Sequence, residues 1–112
     1  MPTYTKQPLS AAISGQQIQI TGTSPATSTI IHTPIANVYD EVWLYATNIH
    51  TSDISLKLYW GATGDAGQMS ANIPYQAGRA LVVDGKLLSG TTNTIKASAG
   101  TANKINIDGF VN

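Results

Sequence analysis

The chain has no cysteine. That excludes a disulfide framework, thiolate chemistry and cysteine-based zinc sites. Charge is scarce too: 11% of residues are Asp, Glu, Lys or Arg, against roughly 25% in average soluble domains. The six basic and six acidic side chains give a net charge of zero. The basic residues Lys6, Lys57, Arg79, Lys86, Lys96 and Lys104 are scattered along the chain. Nucleic-acid binders neutralise phosphates with grouped Lys and Arg, so nucleic acid is not an expected partner. No apolar run approaches the ~20 residues of a membrane helix. The opening MPTYTKQPLS also lacks the apolar core of a signal peptide. The chain therefore reads as free of membranes and not exported by the general secretion route.

Catalytic sets are missing as well. The two histidines, His32 and His50, stand in a strand-like stretch and a turn-like stretch, outside any catalytic motif. Asp40 and Glu41 are adjacent, so in a strand they point to opposite faces and cannot act as an acid/base pair. The loop GATGDAG holds one carboxylate, Asp65, and a calcium loop needs several oxygen ligands. No glycine-rich phosphate loop precedes a helix. The expectation is a protein without catalytic residues, metal or cofactor.

What remains is an apolar and uncharged polar chain: 42% hydrophobic over 112 residues. That is enough for one domain with a modest core. Apolar content this high with no net charge opposes disorder. Low charge also leaves a surface suited to an assembly.

Short alternating stretches run through it. QQIQITGT places Ile18 and Ile20 on one face, and STIIHT is β-branched up to Pro34. In YDEVWLYATN, Val42, Leu44 and Ala46 share one face, opposite Trp43, Tyr45 and Thr47. ISLKLYW sets Leu56, Leu58 and Trp60 against Ser55, Lys57 and Tyr59. QMSANI, RALVVDG, KLLSG, NTIKASA and KINIDGFV follow, with DG expected as a hairpin turn and a register shift expected at Gly109. No helix-length apolar stripe with caps occurs.

The pattern predicts an all-β chain: a single antiparallel β-sandwich, jelly-roll-like, over residues 16–112. Residues 1–15, with Pro2 and Pro8, are expected to form an extended N-terminal arm, LSAAISG making at most one helical turn. Trp60 and Phe110 are expected in the core. Trp43 and Tyr45, outward if Val42 and Leu44 are inward, are the first interface candidates.

The stretches TIIHTPIANVYDEVWLYATN, LKLYWGAT, ALVVDGKLLSG and ASAGTANKINIDGFVN resemble a family of small structural proteins of tailed-bacteriophage particles. Members carry a similar DEV-x-L…TN strand, a glycine-rich end to the next strand, a D-G-x-x-L-x-G turn and a closing GFVN strand. The resemblance covers residues 28–112 and departs at Ala62, where a second glycine is expected. It implies a virion structural protein, foremost a capsid decoration (cement) protein, made in the host cytoplasm and carried on the particle surface. The implied partners are the major capsid protein, or another virion protein, and copies of this chain, a homotrimer being favoured. On this reading Trp43, Tyr45 and Tyr59 are interface candidates, joined by Tyr4, Pro8 and Leu9 from an arm that reaches a neighbour. Asp40 and Glu41 would keep the start of their strand hydrated and unpaired. The alternative is a tail-fibre or receptor- and glycan-binding β-domain, with Tyr59, Trp60 and Asp65 as its sugar-stacking and hydrogen-bonding set.

Overall fold

The structure is a computed structural model describing residues 6–34, 39–62, 64–89 and 93–112. Nine strands are described: β1 (Gln7–Pro8), β2 (Ile18–Gln19), β3 (Thr29–His32), β4 (Tyr39–Asn48), β5 (Ile54–Trp60), β6 (Gln68–Ile73), β7 (Arg79–Ser89), β8 (Ile95–Ala99) and β9 (Ile105–Val111). They form two antiparallel sheets. Sheet A runs β1-β9-β4-β7, with β2 also on β9; sheet B runs β3-β8-β5-β6. The pairing is nested. β5 pairs with β6, β4 with β7, β3 with β8, and β1 and β2 with β9.

Alternation explains the core. Val42, Leu44 and Ala46 of β4 and Ile105 and Ile107 of β9 are all fully buried. They face Leu56 and Leu58 of β5 and Ile95 and Ala97 of β8 from the opposite sheet, in one contiguous cluster. Asn48, the buried Asn of the TN pair, closes the β4–β5 turn. Its amide nitrogen donates to the carbonyls of Ser52 (3.0 Å) and Ile73 (2.8 Å), and its Oδ1 accepts from the His50 backbone at 2.8 Å. The turn is thereby fastened to the end of β6.

Several expectations change. The DG at Asp84 and Gly85 is not a hairpin turn. RALVVDG and KLLSG are one continuous strand, β7, against β4. The register slips between Val42 and Trp43 and again between Leu44 and Tyr45, leaving Gly85 and Val82 as the extra residues. Gly85 takes φ +80°, open to glycine without strain. Gly109 causes no register shift: β9 pairs with β4 without a break from Ile105 to Val111. Glycine is needed there because a Cβ would lie 2.0 Å from the Trp43 carbonyl oxygen.

The start of the chain divides. Residues 1–5, including the candidate Tyr4, lie outside the described residues. From Gln7 onward the segment is built into the sandwich: Gln7 and Pro8 pair with Val111 and Phe110, and Leu9 and Ala12 are in the core. Ile13–Gly15 makes one 3-10 turn. A clasp holds this segment. The Ser10 backbone N–H donates to His32 Nδ1 at 3.0 Å, which assigns the ring proton to Nε2, and Asp40 accepts it at 2.7 Å. Asp40 is thus an internal partner rather than a hydrated guard. It also stands on a central strand, since β4 pairs on both sides.

Candidate functional site

The outer face of sheet A gathers most of the aromatic side chains outside the core. β4 contributes Tyr39, Glu41, Trp43, Tyr45 and Thr47. Across from them stand Leu87, Asp84, Leu81 and Arg79 on β7, and Phe110, Asp108 and Asn106 on β9. Residues directly opposite in an antiparallel pair share a face.

Two territories divide this face. The first, over β9 and β4, satisfies itself. Trp43 and Phe110 stack with ring centroids 5.9 Å apart and planes 14° from parallel. The Trp43 indole N–H donates to Glu41 Oε1 at 2.7 Å, and the Lys6 ammonium lies 4.7 Å from the Phe110 centroid. Gly85 lies under the indole, where a Cβ would sit 3.1 Å from Trp43 Cζ2. Beside this stack the Arg79 guanidinium covers Tyr45 at 3.5 Å, and its Nε donates to Asp108 Oδ2 at 2.7 Å. Each aromatic ring is half-buried and each charge has a partner.

The second territory is the β7 side. Tyr39, Leu81 and Leu87 are 69%, 51% and 58% exposed, and all three point outward from this face. No described strand pairs with the outer edge of β7. The exposed Asp84 stands between the two leucines on this side of the larger sheet.

The expected candidates fall as follows. Trp43 and Tyr45 do face outward, on the self-paired part. Phe110 joins them there and not in the core, because it stands opposite Trp43 on β9. Pro8 is exposed beside Phe110, whereas Leu9 is 1% exposed and belongs to the core. Tyr59 is a correction. It does point away from the core, but the segment around the 3-10 turn Pro25–Thr27 covers that face. Tyr59 is 1% exposed, and its hydroxyl is bound to Ser98 Oγ at 2.7 Å. It has no surface to offer a partner or a sugar ring. Trp60 packs partly on the core with the Lys86 ammonium 5.7 Å from its ring, and Asp65 is exposed in a separate 3-10 turn. The three residues of the sugar-binding set therefore do not form one platform.

Leu81, Leu87 and Arg79 were not candidates on sequence. Strict alternation would place Leu81, Val83 and Leu87 together. The two extra residues in β7 turn Val83 and Leu88 inward and leave Leu81 and Leu87 outside. The DG dipeptide is the one visible signal of this, once read as a bulge rather than a turn.

Among the described residues, no group of three or more His, Asp and Glu is placed to hold a metal ion, and no helix is long and apolar enough to cross a membrane. Comparisons with protein-family models, curated proteins and solved structures found no match to this chain.

Proposed function

We propose that this protein is a non-enzymatic structural component of a tailed-phage particle, foremost a capsid decoration protein that bridges neighbouring subunits through the outer face of sheet A. The observation that carries the reading is the group of exposed apolar side chains Tyr39, Leu81 and Leu87 on the β7 side of this face, with the exposed Asp84 between the two leucines, beside the Arg79–Asp108 pair and the Trp43–Glu41 hydrogen bond. Covering these side chains gains apolar burial. Arg79 and Tyr45 at its margin are residue types enriched at interface hot spots. The low overall charge and the phage-like strand motifs support the same reading. So does the nested strand pairing, which suits a jelly-roll-like wrapping, an architecture used by viral capsid and lectin domains. Function would be mechanical: many modest contacts on a symmetric shell, adding as avidity. Self-association as a trimer belongs to this proposal.

The test is co-sedimentation of tagged chain with isolated phage heads from the same source, followed by heating. The expected result is saturable binding and a higher rupture temperature, both lost in Leu81→Lys/Leu87→Lys. Chain left in the supernatant, with rupture unchanged, would overturn the reading. The glycan-binding alternative loses one of its two aromatic candidates with Tyr59 buried, and a glycan array on the same preparation is its check.

A further inference from the structure

The segment that leads from β1 towards the first 3-10 turn crosses from one sheet to the other. Gln7 and Pro8 pair with β9 of sheet A, while Ser10 and Ala11 reach β3 and its end on sheet B. Leu9 and Ala12 are its apolar anchors, both buried. Its polar hold on sheet B is short. The Ala11 N–H donates to the Ile31 carbonyl at a long 3.3 Å. Ser10 makes the closer contacts: its Oγ accepts from the Thr33 N–H at 2.7 Å, and its own N–H donates to His32 Nδ1 at 3.0 Å. One residue therefore makes both of the short bonds, and one of its two partners is a titratable ring.

That ring can accept the Ser10 N–H only while Nδ1 carries no proton. The closed strap needs a neutral imidazole with its single proton on Nε2, facing Asp40 at 2.7 Å. A second proton would enter at Nδ1, and two donors would then face each other. The Asp40 contact survives that proton, because an imidazolium still donates from Nε2, now as one half of an ion pair. The two contacts of the ring thus respond in opposite ways: one is kept and the other is lost. His32 is 4% exposed, whereas Ser10 is exposed. Relief comes from movement of Ser10, whose N–H can take water once it leaves the ring. Among the described residues no other charged side chain faces the ring from the elements around it. β8 sets Ile95 opposite His32, and β7 sets Leu88 opposite Asp40. Lys96 stands on the outer face of sheet B with Tyr59, and Glu41 on the outer face of sheet A with Trp43.

We infer that residues 7–12 form a proton-released strap. A second proton on His32 detaches Ser10, loosens the segment from β3 and uncovers Leu9 and Ala12. Because only the neutral ring accepts the Ser10 N–H, closure is complete at high pH and is lost as the pH falls through the titration of the ring. The inference is independent of any role on a virion.

The test is NMR of the full chain between about pH 8 and about pH 4.5, a range that brackets an ordinary histidine. The ring nitrogens of His32 report its protonation. Amide hydrogen exchange, corrected for the intrinsic effect of pH, reports the strap. Protection at Ser10 and Ala11 should fall about tenfold, as for one lost hydrogen bond, with the midpoint of the His32 titration, while the Leu44 and Ile107 amides hold. His32→Asn supplies an acceptor near Nδ1 with no titrating ring, and should keep the strap equally protected at both ends of the range. Asp40→Asn still accepts from Nε2 but carries no charge to pair with an imidazolium, and should move the release to lower pH. It decides the matter where His32→Asn does not fold. A ring proton on Nδ1 at the high-pH end, a ring that stays singly protonated throughout, or strap protection unchanged while the ring titrates would overturn the inference. So would protection lost only together with β4 and β9, release that persists in a folded His32→Asn, or release at an unchanged pH in Asp40→Asn.

Discussion

The two sheets treat their outward tyrosines in opposite ways. On sheet A, Tyr45 lies under an arginine that is itself 51% exposed by side chain, within a face carrying both signs of charge. On sheet B, Tyr59 is roofed by the chain's own loop, with lysines and no acids around it. Both residues occupy outward positions of alternating strands, and alternation alone does not distinguish them. The difference comes from what lies above each sheet. A braced loop spends the outer face of sheet B within the domain and leaves a small polar pocket. Sheet A has no such cover among the described residues, and balances its aromatics with cations and carboxylates instead. The consequence is that the outer face of sheet A is open among the described residues, whereas the outer face of sheet B is partly covered by the chain's own loop.

The largest effect that would sharpen this contrast is on stability. Tyr59→Ala should cost about 3–5 kcal/mol, the range for removing a large buried aromatic. Tyr45→Ala should cost less than half of that, since its ring is half-buried. Urea unfolding of the two variants measures the difference, and equal costs would break the comparison. Next come the two glycines that permit each arrangement. Gly109→Ala drives a Cβ into the Trp43 carbonyl and should destabilise the whole domain by about 1–3 kcal/mol or more, as overpacking does. Gly22→Ala drives a Cβ into the Thr27 carbonyl, and the Gly22 carbonyl accepts from the Ala99 N–H. It should act locally on the roof of sheet B, with the Ala99 amide exchanging its hydrogen faster while β4 and β9 amides hold. Hydrogen exchange read residue by residue tells global from local loss.

Smaller effects belong to the outer face of sheet A. Trp43→Ala removes the Phe110 stack and the Glu41 hydrogen bond, and should cost about 1–2 kcal/mol by thermal unfolding. Arg79→Gln should change stability by no more than about 1 kcal/mol, because an exposed ion pair is screened by solvent. A much larger cost would mean that Arg79 holds the sheet together rather than finishing its surface.

The sequence carried the sandwich because its signal is local. Val42, Leu44, Ala46, Leu56, Leu58, Ile105 and Ile107 alternate cleanly, and each is buried as that alternation requires. Trp43 and Tyr45 were legible as outward for the same reason. Features set by distant segments were not. The burial of Tyr59 depends on residues near Pro25, and the burial of Leu9 depends on how the early segment meets β9. Asp40 pairs with a histidine eight residues earlier, across the step from sheet B to sheet A. The exposure of Leu81 and Leu87 depends on two extra residues in β7, and a bulge moves every later side chain to the other face. The site was thus half-visible: its aromatic row could be read, and its apolar group could not.

The account's central claim is that the Tyr39, Leu81 and Leu87 group is a surface meant to be covered. Sedimentation velocity of the purified chain over a wide concentration range tests it most directly, beside Leu81→Lys/Leu87→Lys. The account predicts reversible self-association of the wild type, a trimer being expected. It also predicts a double variant that stays monomeric with its thermal midpoint nearly unchanged. A wild type that is monomeric throughout, or a double variant that associates as well as the wild type, would contradict it.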